Sequence, residues 1–254
     1  MPCLRETHRV ALGNRTASGT LFLPKEVSPA PLVLFCHGFN GRGSDFFSAA
    51  DFLAQRGIAS LCLDFCGGAT SDESGFPTEK MTLFTQKEEL AAALDHCKTL
   101  PRICGDKIFL FGGSQGGLVC ALLAEERARE LKGLVLLFPA LCIPDDWRKR
   151  FEKESDIPES TELWGMRLGR DYFESIRHLH VFEQIGRFDR PVLLLHGDAD
   201  DIVPLSYSKR AEKAYGKAKL VVFPGEGHGF SEQGNKTMCR LLFSFVNDLC
   251  GSAR

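Results

Sequence analysis

Gly112-Gly113-Ser114-Gln115-Gly116 fits the pattern G-x-S-x-G and stands directly after the apolar run Lys107 to Phe111. It is followed at once by the helical pattern LVCALLAEERA. Strand, sharp turn, helix is the setting in which such a serine acts as a nucleophile. The turn crowds the backbone, so the residues two before and two after the serine must be small, and Gly112 and Gly116 meet that demand. The turn lifts the Ser114 hydroxyl to the carboxyl edge of a sheet, where open α/β sheets bind ligands. A hydroxyl attacks only when a base takes its proton. Of the seven histidines, His228 sits in the glycine-rich stretch Gly225-Glu226-Gly227-His228-Gly229-Phe230, between the last strand-like run and the last helical one. A loop of that composition holds a side chain over the sheet end, which makes His228 the expected base. The base in turn needs a carboxylate to fix its tautomer and stabilise its cation. His196-Gly197-Asp198-Ala199-Asp200-Asp201-Ile202-Val203-Pro204 offers three aspartates. By spacing alone any of them could serve.

Attack by serine on a carbonyl creates an oxyanion that two backbone N–H groups must hold. One is expected from Gln115, at the first turn of a helix whose dipole favours negative charge. The other is expected from Phe39 in His37-Gly38-Phe39-Asn40-Gly41, a loop whose glycine permits a sharp reversal after the run LVLFC.

These residues need a scaffold, and the chain supplies one. Short apolar runs at 31–37, 58–64, 107–111, 133–138, 191–196 and 220–223 are each bounded by Gly, Pro or Asp. They read as strands covered on both faces. Helical patterns fall between and after them, at 46–56, 83–100, 118–129, 205–215 and 236–249. The alternation predicts an α/β fold with a mostly parallel sheet and helices on both faces. His8 to Leu12 and Thr20 to Leu23, around a Gly/Asn/Ser-rich stretch, predict an N-terminal antiparallel hairpin. A single domain over 1–254 is expected. About fifty residues, Pro139 to Arg190, separate two successive strands and hold both tryptophans, Trp147 and Trp164. An insertion over the sheet end at about 140–190, a small cap, is the natural reading.

Composition narrows the function classes. The chain has 254 residues, 44% hydrophobic and 25% charged, with a formal charge of −2. No basic excess is available to neutralise phosphates, so nucleic acid is not an expected partner. No apolar run approaches the roughly 20 residues of a membrane helix. The start, Met1 to His8, has no apolar core of a secretory signal. The ten cysteines are scattered through apolar runs such as LVLFCH and ASLCLD, without a C-x-x-C pair. They read as small buried hydrophobes in a reducing, cytoplasmic setting, with no metal site and no cofactor expected.

Taken together, HGFNG, the Ser114 turn, HGDADDIVP and GEGHGF resemble the α/β-hydrolase superfamily over nearly the whole chain. In that superfamily the pattern H-G-x-x-D-x-x-V-P carries the acid at its fifth position, which implies Asp200. HGFNGR, LDFCGGATSDESG, MTLFTQKEEL, GGSQGG and FPALCIPDDW are further similar to the bacterial feruloyl/cinnamoyl esterases. That likeness implies a small cap after the strand that follows the Ser114 helix. It also implies that a cap Asp and a cap Tyr, matching Asp146 and Tyr172, contact the phenolic end of an acyl group. Two positions depart from the pattern. Gly113 stands where many relatives have His, and Asp64 to Asp72 contains no Arg or His.

The expected activity is therefore a serine carboxylic-ester hydrolase acting through an acyl-enzyme on a small-molecule ester, with hydroxycinnamoyl (feruloyl-type) esters first and other small acyl esters next. Phe39, Phe65, Trp147, Trp164 and Phe230 are expected to line the acyl pocket. A short-chain acyl esterase, a thioesterase or a peptidase of the same fold is the alternative. A peptidase of this fold usually carries a large N-terminal domain or an amine-binding acidic motif, and neither is read here. A non-catalytic ligand-binding homologue is the rival from another class, and a homodimer is compatible with the resemblance.

Overall fold

Alternating strand and helix patterns do build one parallel-dominated sheet. The computed structural model describes residues 3–251; Met1 and Pro2 of the N-terminal stretch lie outside them. The strands are β1 (Leu4–Leu12), β2 (Arg15–Leu23), β3 (Ala30–Cys36), β4 (Ala59–Asp64), β5 (Ile103–Gly113) and β6 (Gly133–Leu137). After an insertion come β9 (Val192–Gly197) and β10 (Ala218–Phe223). They lie in the order β1-β2-β4-β3-β5-β6-β9-β10. β1 pairs antiparallel with β2 and β2 with β4, while every pair from β4 to β10 is parallel.

The parallel strands are buried on both faces because their side chains alternate between two cores. Leu32, Leu34, Leu110 and Leu136 face a core shared with α2 (Leu83–Lys98), α3 (Gln115–Glu126) and α7 (Leu205–Ala214). Val33, Phe35, Phe109 and Phe111 face the opposite core, against α1 (Phe47–Ala54) and α8 (Glu232–Cys250). Thr82 caps α2 by accepting from Thr85 N–H, and Ser231 caps α8 by accepting from Gly234 N–H.

The hairpin is longer than its apolar pattern predicts. Its turn is only Gly13-Asn14, with Gly13 at φ +59°, as a two-residue hairpin turn requires. Outward-facing polar residues hide its outer strand from a reading based on apolar runs. Helix α3 starts at Gln115 rather than Leu118, because Gly116 and Gly117 carry no apolar signal although they occupy its first turn.

The segment between β6 and β9 folds as α4 (Ile143–Arg150), the hairpin β7 (Ser160–Leu163) and β8 (Met166–Gly169), α5 (Arg170–Ile176) and α6 (Val181–Gln184). Trp147, Phe151 and Phe173 pack together, with ring centroids 4.6–5.7 Å apart. Arg148 donates to the carbonyls of Arg177 and Leu179, and Arg177 donates to that of Phe151, which ties α4 to the end of α5. A Cβ at Gly169 would lie 2.1 Å from the Glu79 carbonyl oxygen, so only glycine lets the hairpin seat on the 78–80 turn.

Candidate active site

Ser114 occupies the turn between β5 and α3 at φ 52°, ψ −121°, a conformation that a non-glycine residue adopts only where the surroundings impose it. The surroundings here are backbone. A Cβ at Gly112 would sit 2.3 Å from the Gly116 carbonyl oxygen. A Cβ at Gly116 would sit 2.4 Å from the carbonyl oxygens of both Cys36 and His37. Ser114 N–H donates to the Leu137 carbonyl (3.0 Å), and its own carbonyl accepts from Ala140 N–H (2.9 Å). The strained turn is thus fixed from both sides.

His228, in the loop between β10 and α8, places Nε2 3.0 Å from Ser114 Oγ and Nδ1 2.9 Å from Asp200 Oδ2. The side chain of Asp200 is fully buried. Its Oδ1 accepts from the N–H groups of Ile202 (3.0 Å) and Val203 (2.8 Å). A carboxylate accepts only, so His228 Nδ1 carries the proton and Nε2 is free to receive one from Ser114. The ring of Phe138, 4.5 Å away by centroids, backs the imidazole. The two neighbouring aspartates are used otherwise. Asp198 accepts from Gly225 N–H (2.6 Å), which shapes the His228 loop, and Asp201 lies exposed at the pocket mouth.

Among the described residues, the N–H groups of Phe39 and Gln115 donate to no protein acceptor, as an oxyanion hole requires. The loop holding Phe39 is pinned by His37, which is buried. His37 Nδ1–H donates to the Gly38 carbonyl (2.7 Å), and Nε2 accepts from Phe65 N–H (3.2 Å). Burial holds this imidazole below the usual histidine range, so it stays neutral in that tautomer. Asn40, at φ 55°, ties the loop to Gly68 and Thr70 and donates to the Trp164 carbonyl at the tip of the β7–β8 hairpin.

A cavity of about 380 Å³ opens beside Ser114. It is lined by Phe39, Gln115, Asp146, Trp147, Trp164 and Tyr172, which brings the sequence-predicted contacts together at one place. Their roles are uneven. Tyr172 is buried and donates to Gln115 Oε1 (2.8 Å), while Gln115 Nε2 donates to Gln86 Oε1 (2.9 Å). Burial pushes the Tyr172 phenol up, so it remains a neutral donor. Asp146, which a buried phenol-facing role would place inside, is instead about half exposed at the rim, 3.9 Å from Lys149. It lies in the exposed polar face of α4, where water competes for it. Trp164 is 64% exposed and meets Phe39 edge-on.

Phe65 and Phe230 do not line this cavity. Phe65 packs on His37, and Phe230 packs on Phe138 and Phe223 behind the His228 loop. Sequence reasoning missed Cys142, Ile143 and Ile202 as cavity residues, and His196 as a partner of Asp200. Burial, then Asp146, pushes the Cys142 thiol up, so it is no thiolate at neutral pH. A larger polar cavity of about 630 Å³ lies on the far side of the 37–42 loop, lined by Arg9, Arg42 and Asp64. Ser114 does not line it.

Among the described residues no group of three His, Cys, Asp or Glu side chains could hold a metal ion, and no helix is long and apolar enough to cross a membrane.

The protein is similar to several known proteins. Residues 174–249 match a model described as TAP-like protein. In fold it is similar to Est1E from Butyrivibrio proteoclasticus, solved with ferulic acid bound: TM-score 0.88 and 26% identity, over 96% of this chain and 99% of that one. It is 27% identical over 170 residues to the esterase FrsA of Salmonella paratyphi B, covering 65% of this chain and 38% of FrsA. It is 29% identical over 205 residues to an uncharacterized protein of Mycobacterium tuberculosis, covering 80% of this chain and 64% of that protein. The chain thus spans less than two thirds of the length of these curated relatives. Residues 27–170, more than half of the chain, match the family model described as serine aminopeptidase, S33, and with the parallel sheet and its hydrolase neighbours this places the chain in that family of α/β-hydrolases.

Proposed function

We propose that the protein is a serine carboxylic-ester hydrolase working through an acyl-enzyme. The observation that carries this reading is the continuous array Ser114 Oγ–His228 Nε2 at 3.0 Å and His228 Nδ1–Asp200 Oδ2 at 2.9 Å. In this mechanism Ser114 attacks the ester carbonyl as His228 takes its proton. Asp200 holds the resulting imidazolium. The N–H groups of Phe39 and Gln115 receive the oxyanion at the start of α3, whose dipole favours the same charge. The tetrahedral intermediate collapses, the alcohol leaves with the proton from His228, and the acyl group stays on Ser114. A water, deprotonated by His228, then releases the acid.

For the acyl group we favour a small aromatic acid of the hydroxycinnamoyl kind. Three features support it: the likeness to Est1E with ferulic acid, a cavity of the size used for small ligands, and walls built from Phe39, Trp147, Trp164 and Tyr172. Tyr172 enters this reading as a wall and as the anchor of Gln115. Asp146 enters as a rim group within reach of a polar substituent. The insertion acts as a cap that supplies Asp146, Trp147, Trp164 and Tyr172. The substrate is a free small molecule.

The test compares kcat/KM for ethyl ferulate, 4-nitrophenyl butyrate and an aminoacyl 4-nitroanilide, with Ser114→Ala as the blank. Ferulate preferred over butyrate supports the aromatic reading. Butyrate turnover with negligible ferulate turnover makes the protein a short-acyl esterase. Anilide cleavage exceeding both would favour the peptidase activity in the family model's description.

A further inference from the structure

Asp200 has a second imidazole on it. His196, the last-but-one residue of β9, is fully buried and places Nε2 3.2 Å from Asp200 Oδ2, the same oxygen that meets His228. The same Nε2 lies 3.0 Å from the Val203 carbonyl oxygen. Both neighbours accept only, so Nε2 must carry the proton. Nδ1 of the neutral ring then accepts, and the group there is the Ser208 hydroxyl on α7, 2.7 Å away. Burial holds His196 below the usual histidine range and keeps the ring neutral. Ser208, His196 and Asp200 thus repeat the order of groups in the candidate triad. Their side chains are shut off from solvent, so this copy meets no substrate.

We infer that His196, oriented by Ser208, is a positioning residue that sets the basicity of Asp200 and through it the proton affinity of His228. The inference rests on the triad reading above. Asp200 accepts from two N–H groups on Oδ1 and from His228 on Oδ2, and the His196 N–H, bonded to the Val203 carbonyl, lies beside that same Oδ2 with Nε2 3.2 Å away. His196 N–H draws negative charge from the oxygen that holds His228. Without that donor, Oδ2 binds the His228 cation more tightly, and His228 keeps its proton to higher pH. The other ionisable groups near the pair do not compete for Oδ2. Asp198 is held by Gly225 N–H, Glu226 by Ser231, Asp145 by Arg148 and Tyr207, and Asp201 is exposed.

Two substitutions separate the role from mere packing. His196→Asn can still accept from Ser208 but has nothing at the Nε2 position. His196→Gln restores an N–H there. With 4-nitrophenyl butyrate, the acid limb of the kcat/KM–pH profile should move up in His196→Asn by about half to one pH unit, as expected for losing one N–H dipole beside a charged oxygen. That is a loss of about three- to tenfold on the acid side with the alkaline plateau unchanged. His196→Gln should overlay the wild-type limb. Ser208→Ala should move it in the same direction by less, and decides the matter if His196→Asn does not fold. A folded His196→Asn or, failing that, Ser208→Ala whose profile overlays the wild type overturns the inference, as does an equal loss at every pH. A wild-type profile with no acid limb, or turnover by Ser114→Ala, instead overturns the triad reading beneath it.

Discussion

Replacing Asp200 by Asn changes one atom and should disable the site through hydrogen-bond polarity. Oδ1 of Asp200 lies between two N–H donors, of Ile202 at 3.0 Å and Val203 at 2.8 Å. The amide oxygen of Asn must take that place, which turns the NH₂ group toward the position of Oδ2. There it faces Nδ1–H of His228 and Nε2–H of His196, two donors against a donor. His228 can relieve this only by moving its proton to Nε2, and it then has no lone pair for Ser114. By analogy with serine hydrolases in which the same substitution imposes the wrong tautomer, kcat should fall by about 10⁴-fold, with KM little changed. That corresponds to about 5 kcal/mol of lost transition-state stabilisation. His196 can reverse its own tautomer toward Ser208 but then loses the Val203 carbonyl, so folding stability should fall by about 1–3 kcal/mol. Initial rates with 4-nitrophenyl butyrate and a urea melt measure both quantities. A folded variant within tenfold of the wild-type kcat would refute the assignment of Asp200.

Further substitutions test the scaffold around the site. Gly116→Ala forces a Cβ to within 2.4 Å of two carbonyl oxygens, so the turn must open; activity should be lost and the thermal midpoint lowered, as rate assays and scanning calorimetry would record. Tyr172→Phe leaves Gln115 Oε1 without its buried donor, which should cost about 1–3 kcal/mol in a urea melt. It should also lower kcat more than it raises KM, because in the proposed mechanism the Gln115 N–H receives the oxyanion. Glu89 on α2 has no solvent exposure, and burial pushes its carboxyl up to about 7 even though Arg15 and the Cys66 N–H hold it. The folded state therefore keeps a proton that the unfolded chain releases near its ordinary value. The contribution of Glu89 to stability is full at low pH and is lost as pH rises through 7. Compared with Glu89→Gln, the wild type should lose stability between roughly pH 4.5 and 7 by up to about 3 kcal/mol, measured by urea melts across that range.

The sheet was legible because its strands are buried on both faces and therefore read as unbroken apolar runs. The Ser114 turn was legible because sterics admit only small residues at 112 and 116. What the sequence concealed follows the same physics. β1 is mostly a run of exposed polar residues, Arg5 to Arg9, and β2 begins with Arg-Thr-Ala-Ser, so the apolar pattern underestimates them. The start of α3 is Gln-Gly-Gly, chosen by close backbone approach and silent in periodicity. The choice among Asp198, Asp200 and Asp201 depends on which carboxylate meets the His228 ring across 28 residues of chain, and spacing carries no such information. The resemblance to α/β-hydrolases singled out Asp200, and the geometry brings that residue to His228. Cavity contacts were the least legible part. Phe65 and Phe230 are as apolar as Trp147, yet they pack beneath their loops, and the half-exposed Asp146 shows that a pattern match does not fix burial.

The most direct test is covalent. A fluorophosphonate probe added to the wild-type protein at neutral pH, followed by peptide mass spectrometry, should label Ser114 alone at a rate that falls as His228 becomes protonated. Labelling should disappear in Ser114→Ala and drop steeply in His228→Ala. A wild-type protein that stays unlabelled while folded, or that carries the probe on another residue, would contradict the account.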